Sequence, residues 1–273
     1  MSVQINYKGN FGNNMFQYCF ARLIAEYNGL DLITEFPHQN ILKTTTHVLF
    51  NNVSNGNTTN IDDNFYHQHR TSNGSSIPKL DKNKNYIISG YFQDADLFNN
   101  NESKVKSFFV LPKNEINIKD TLVSIRMGDF IHGGYNSEII HYEWYNSVLN
   151  DMPGMKNFLI SNHSSSGNNK VSDVFKSKYL SKIKTGFNEI DSKGIKSDFE
   201  LHLSYKNIVC SNSTFSWWGS FLGDSENIRT ISNFGSFGTE DVKSHGVHIN
   251  NLWDIKNKSI KSDNKFIDIT KIN

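Results

Sequence analysis

The stretch NIVCSNSTFSWWGSFLG, running from Asn207 to Gly223, decides the fold. Its first part, Asn207 to Cys210, is short and apolar and reads as a buried strand. The next four residues, Ser211 to Thr214, read as the N-cap region of a helix. A strand that opens into a hydroxyl-rich helix start is a place where an α/β protein holds an anion. Two readings of Asn212, Ser213, Thr214 and Phe215 stand side by side. They are a phosphate-binding helix start, or an ordinary cap over a helix that buries Trp217 and Trp218. The paired tryptophans can stack on a sugar, although burial is their commoner fate.

The same alternation continues on both sides. Val3 to Tyr7 reads as a strand and Lys8 to Asn14 as a glycine and asparagine loop. Met15 to Tyr27 reads as a helix, with Met15, Cys19, Leu23 and Tyr27 at steps of four. Leu30 to Thr34 is a second strand, giving a βαβ opening. Residues 39–85 are polar and weakly periodic and read as an elaborated surface region. A strand is expected over Tyr86 to Phe92, with helices near Asp94 to Phe98 and over Ser103 to Val110. A new unit begins near residue 116. It has a strand at Thr121 to Arg126, a helix at His141 to Asn150 and a strand at Asn157 to Ser161. A helix at Phe199 to Tyr205 and late strands at Thr230 to Ser232 and Gly246 to Asn250 complete it. The expectation is an α/β protein with two sheets and a boundary between residues 110 and 118.

Composition narrows the function classes. A net charge of +1 leaves no nucleic-acid footprint, although a local basic patch can still hold a phosphate. Cys19 and Cys210 both sit in apolar segments and read as buried thiols, which suits a reducing compartment. No cysteine–histidine spacing suggests zinc, so no metal is expected. The chain shows no secretory leader pattern and no apolar run of transmembrane length. These features point to a cytoplasmic protein and leave peripheral membrane association open.

Two further constellations carry chemistry. Ser124-Ile-Arg126-Met-Gly-Asp129 ends a strand, at the edge where open α/β sheets bind ligands. Arg126 suits a diphosphate through its planar fork; the alternative is a surface ion pair with Asp129. The loop Gly9 to Asn14 lacks the dinucleotide-binding glycine spacing. It is either a tight turn or a place where Asn13 and Asn14 set amides in a cleft. His132, Glu138, His141 and Glu143 follow the arginine motif and are general-base candidates or simple caps.

Together these motifs resemble glycosyltransferase family 11, the α-1,2-fucosyltransferases. The family opens with a motif like GGLGNQMFQYAFA, and Gly9 to Ala21 reads GNFGNNMFQYCFA in register. Tyr91-Phe-Gln93 matches a family YFQ segment. Ser124 to Phe130 looks like HxRRGDY, and Asn212 to Leu222 looks like NSSFSWWGAWL. Asp198 stands at the distance of a family aspartate before that last motif. The four ordered motifs span residue 5 to about residue 223.

The resemblance implies a GT-B-like α/β fold, two Rossmann-like domains facing across a cleft. Residues 1–115 would form an N-terminal acceptor-side domain and residues 116–273 a C-terminal donor domain. It implies GDP-fucose as donor, a glycan hydroxyl as acceptor, inversion at the anomeric carbon, and no metal or other cofactor. Arg126 would neutralise the leaving GDP. Ser213, Thr214 and nearby amides would take the phosphates, Asp198 the guanine, and Asn13 would lie near donor and acceptor. Ser124, Asn212 and Phe215 complete the donor set. Asp129, ranked before Glu138 and His132, would be the base.

This chain departs from the pattern in three places. Ser124 replaces the family histidine, Met127 the second arginine, and Leu159 to His163 an FSDD-like segment. Each lost charged hydrogen bond costs on the order of 1.5–3 kcal/mol. Another GDP-sugar donor such as GDP-mannose, or a non-catalytic nucleotide- or glycan-binding relative, are the alternatives.

Overall fold

Two parallel sheets organise the chain, each in its own compact unit. The computed structural model describes residues 1–45, 57–69, 77–128, 139–161, 172–231, 260–262 and 266–267. The described residues of the first unit lie within Met1–Leu111. Its elements in chain order are β1 (Ser2–Ile5), α1 (Phe11–Asn28), β2 (Asp31–Leu32), β3 (Lys43–Thr44), β4 (Thr58–Ile61), α2 (Asp63–His69), β5 (Asn85–Ile88), α3 (Ala95–Asn100), α4 (Glu102–Lys106) and β6 (Phe109–Val110). Strands β2-β1-β5-β4 form a parallel sheet, and β3 and β6 form a separate antiparallel pair.

Helix α1 starts at Phe11, earlier than its apolar periodicity suggests; Asn10 enters it in extended conformation without a side-chain cap, and its carbonyl accepts from the Asn14 N–H at 3.0 Å. It ends at Gly29, whose φ of 62° allows its N–H to turn back onto the Ala25 and Glu26 carbonyls. The helix is buried almost all round. Met15, Cys19 and Leu23 are fully buried, yet Tyr27 is 60% exposed. Steps of four drift around a helix of 3.6 residues per turn, so Tyr27 stands about 120° away from Met15. Arg22 ties the helix to the strand pair by donating to the Thr45 and Phe108 carbonyls, with its guanidinium 4.2 Å from the Phe108 ring centroid.

The carboxyl edge of this sheet is tied together by side chains of α1 and α2. Gln17 accepts from the Lys8 N–H at 3.1 Å and donates to the Gly90 carbonyl at 2.9 Å. The Asp63 carboxylate accepts from the amides of Tyr91 and Phe92 at 2.8 and 2.7 Å, holding Phe92 at a φ of 51°. Burial raises the Asp63 pKa, and those two amides oppose the shift. The chain crosses from β1 to β2 on one side, while β5 and β4 lie on the other. The loops after β1 and β5 therefore flank the topological switch point.

The second unit lies within Pro112–Thr239 and Trp253–Asn273. It holds β7 (Asn117–Arg126), β8 (Ile139–Ile140), α5 (Tyr142–Leu149), β9 (Lys156–Ser161), α6 (Asp173–Leu180), β10 (Phe187–Ile190), α7 (Ile195–Leu203), β11 (Tyr205–Val209), α8 (Thr214–Leu222), β12 (Asn227–Ile231), β13 (Ile260–Ser262) and β14 (Phe266–Ile267). The six-stranded sheet runs β10-β9-β7-β11-β12-β13, all parallel. Counted along the unit, that order is 3-2-1-4-5-6, the order of the doubly wound Rossmann sheet. Strands β8 and β14 pair antiparallel outside it. Leu122, Val123, Phe158, Ile208 and Val209 are fully buried, as strands covered on both faces require.

Several sequence expectations change. The region 39–85 supplies a sheet strand, β4, whose Thr-Thr-Asn sequence is half exposed at the sheet edge. Helix α6 and strand β10 escape the apolar pattern because their faces are largely exposed. Ser103 to Val110 is not one helix; it divides at Ser107 into α4 and β6. The strand expected at Gly246 to Asn250 lies outside the described residues. Cys19 and Cys210 are free and buried. Among the described residues no helix is long and apolar enough to cross a membrane.

Replacing Gln17 with leucine leaves the Lys8 N–H and the Gly90 carbonyl without this partner. Urea unfolding of Gln17→Leu is expected to show a loss of about 2 kcal/mol or more, at about 1–3 kcal/mol per orphaned group.

Candidate functional site

In the second unit the sheet order reverses between β7 and β11, the first and fourth strands of the unit. Open α/β sheets bind ligands outside the carboxyl ends of the strands at such a point. Val123 pairs with Val209, so Cys210 to Asn212 leave β11 beside Ser124 to Arg126, which are still paired with β9. The contacts follow that register. Ser124 Oγ lies 3.5 Å from Ser211 Oγ, and Arg126 Nη1 donates to the Asn212 carbonyl at 3.4 Å.

Ser213 begins α8 in extended conformation, and its Oγ accepts from the Phe215 N–H at 3.3 Å. The capping reading of Ser213 is therefore realised. It leaves the helix-start amides, not this hydroxyl alone, as the anion-attracting feature. Thr214 and Phe215 are half-buried beside it. Trp217 and Trp218 are fully buried, with ring centroids 5.0 Å apart and edge to face. They pack in the core and offer no face to a sugar.

His202 is the residue the sequence reading missed. It is fully buried on α7, and its Nδ1 lies 2.7 Å from the Asp198 carbonyl. A carbonyl only accepts, so Nδ1 carries the proton and Nε2 is the acceptor. Ser124 Oγ, 3.3 Å from Nε2, is thereby the donor. The hydroxyl series runs on through Ser211 to Ser216, whose Oγ donates to the Ser213 carbonyl at 3.0 Å. Tyr145 Oη donates to the Ser124 carbonyl at 3.1 Å, fixing the end of β7 from the other side. The ring of Phe215 stands at 90° to the imidazole, 5.3 Å away. Burial lowers the His202 pKa, and the bond to the Asp198 carbonyl opposes that shift. Its only sequence signal is a position four residues after Asp198, one helical turn on.

The imidazole fits because residue 219 has no side chain. A Cβ at Gly219 would lie 2.3 Å from the His202 Cβ. The Asp198 carboxylate accepts from Ser192 Oγ at 2.5 Å and the Lys193 N–H at 3.2 Å, holding the loop that leads into α7. Met127 is a fully buried apolar residue.

The structure thus gathers Ser124, Arg126, Asn212 and Ser213 at one sheet edge, and His202 links them to the helix of Asp198 and to Phe215. Asn13 belongs to the first unit, where its Oδ1 accepts from Gln93 at 2.9 Å. Asp129, His132 and Glu138 lie outside the described residues. His141 caps α5 by accepting from the Glu143 N–H at 3.2 Å, and the Glu143 side chain is largely exposed. Among the described residues no group of three His, Cys, Asp or Glu side chains stands ready to hold a metal. Comparison with protein-family models, curated proteins and solved structures finds no match for this chain.

Two outcomes test the arrangement. Gly219→Ala is expected to lower stability by about 1–3 kcal/mol in denaturant unfolding, through overpacking against His202. His202 titrates lower in the folded chain than its ordinary value of 6.5. The unfolded chain therefore binds the proton first as pH falls. The stability contribution is full above about pH 6.5 and is lost as pH drops below it. His38 shifts in the same direction. Unfolding midpoints followed downward from neutral pH should fall less steeply in His202→Gln than in the parent.

Proposed function

We propose that this chain is an inverting glycosyltransferase that moves fucose from GDP-fucose to a glycan hydroxyl, in α-1,2 linkage. The observation that carries the proposal is the meeting of Arg126, Ser124 and the start of α8 at the switch point of a 3-2-1-4-5-6 parallel sheet. A nucleotide diphosphate suits that edge. The Arg126 guanidinium offers paired donors, and the first amides of α8 point toward negative charge.

On this reading the two units are the two Rossmann-like domains of a GT-B enzyme. Residues 1–115 bind the acceptor and residues 116–273 bind the donor. Asp198 serves guanine, exchanging its bonds to Ser192 and Lys193 for those of the base. Phe215, Asn212, Ser213 and Thr214 line the donor side, and Asn13 serves the acceptor side. As the bond to the anomeric carbon breaks, the charge developing on GDP is offset by the Arg126 guanidinium and the amides of the helix start. Buried, unpaired thiols suit the reducing cytoplasm.

Loss of the motif cation at Met127 favours a weakened or altered donor preference, so GDP-mannose is the competing donor. Thermal shift with GDP, GDP-fucose and GDP-mannose at millimolar levels tests the binding step, because a ligand of the native state raises the melting temperature by mass action. Arg126→Ala should abolish transfer and the GDP shift while the ligand-free melting temperature stays near the parent value. Ordinary turnover by Arg126→Ala would remove this arginine from the site. No shift with any of the three nucleotides would favour a relative that does not use GDP-sugars.

A further inference from the structure

The amide groups at the start of α1 fix the protonation of a histidine that the donor site does not use. Gln17 is fully buried, and its orientation is set by two backbone groups. Its Nε2 donates to the Gly90 carbonyl and its Oε1 accepts from the Lys8 N–H. Asn14, 5% exposed, has Nδ2 facing acceptors only: the Lys8 carbonyl at 2.9 Å, the Gly9 carbonyl at 3.4 Å and Gln17 Oε1 at 3.2 Å. Asn14 Oδ1 is therefore an acceptor, and it lies 2.9 Å from His38 Nε2. His38 must carry its proton on Nε2, and the neutral ring is left with a bare Nδ1.

Among the described residues no hydrogen bond reaches that nitrogen, and His38 is only partly buried. The ring is held rigidly. Phe11 of α1 and Phe36 of its own loop stand edge-on to it at 5.3 and 5.5 Å, and the His38 carbonyl accepts from the Ile41 and Leu42 amides at 2.9 and 3.0 Å. The groups packed against the imidazole, Phe11, Asn14 and Phe36, are all uncharged. Partial burial lowers its pKa, with no ionisable neighbour contributing. The ring is thus neutral near pH 7. On the same carboxyl edge of the sheet, Asn13 and Gln93 present joined neutral amides of the kind that orient sugar hydroxyls.

We propose that His38 is the general base of the first unit, accepting through Nδ1 the proton of a sugar hydroxyl. The proposal rests on the glycosyltransferase reading above. In the step, the acceptor O–H bond breaks and its proton passes to Nδ1, giving an imidazolium. The oxygen forms the new bond to the anomeric carbon. The bond from that carbon to the phosphate oxygen breaks, and its electron pair leaves with GDP. Asn14 and Gln17 are positioning residues: they choose the tautomer and touch no reacting atom.

His38→Gln tests it, because the glutamine amide can still donate to Asn14 Oδ1 but cannot take up a proton. With GDP-fucose and a panel of galactosides including lactose, kcat is expected to fall about 100-fold or more, within the usual range for a general base. The GDP-induced thermal shift should be unchanged, and the acid limb of the parent's pH profile should disappear. Long-range 1H–15N spectra of the parent protein near neutral pH should show the Nε2–H tautomer at His38. A His38→Gln kcat within about threefold of the parent would overturn the base assignment while leaving the glycosyltransferase reading in place. An Nδ1–H tautomer in the parent would overturn it without any activity measurement. A parent protein that neither transfers sugar from GDP-fucose or GDP-mannose nor shifts with GDP would remove the functional reading, and the base with it.

Discussion

His202 occupies space that exists only because residue 219 lacks a side chain. That close approach of α7 and α8 sets much of the second unit's carboxyl edge. It brings the imidazole to Ser124 at the end of β7 and beneath Phe215 at the start of α8. A buried polar ring is costly unless its nitrogens are satisfied. Here one nitrogen meets a backbone carbonyl and the other a hydroxyl, so ring orientation and tautomer are settled together. Ser216, at the far end of the hydroxyl series, is fixed in turn by the Ser211 and Ser213 carbonyls of the chain entering α8. An edge built this way is held by its own hydrogen bonds, and preorganised polar groups are what the proposed site for developing charge requires.

The first unit solves a similar problem with amides instead of an imidazole. Asn14 and Gln17 each have one end that donates and one that accepts. Fixed backbone groups at Lys8, Gly9 and Gly90 leave a single consistent orientation for the pair. Direction is carried from a loop after β5, across α1, to a ring in the loop after β2. Burial makes that direction firm, because reversing either amide would bring two acceptors together where water cannot repair the fault.

How far the chain could be read in advance followed from how its physics is written. The strand-to-helix passage at Asn207 to Gly223 was legible because an apolar run, a capping serine and an aromatic helix coincide within seventeen positions. The edge strand β4 was not, because Thr-Thr-Asn at a sheet edge carries no hydrophobic alternation. Helix α6 and strand β10 face outward and look like polar linker. Ser124, Arg126 and Asn212 could be named because they stand beside strand ends. His202 could not: its meaning depends on a glycine seventeen residues later in another helix. Asn14 and His38 likewise meet only after β2 has folded beside β1.

The burial of the tryptophan pair has an optical consequence. Residues 1–111 contain no tryptophan, while Trp144, Trp217 and Trp218 are all buried in the second unit. Indole emission and its near-ultraviolet dichroism therefore report on that unit, whereas tyrosines such as Tyr18 and Tyr66 dominate the first. Trp217 also stacks on Phe221 with centroids 4.8 Å apart, coupling its signal to the seating of α8. Tryptophan signals therefore isolate the melting of the second unit, while tyrosine signals come from both, because Tyr142, Tyr145, Tyr179 and Tyr205 also belong to it.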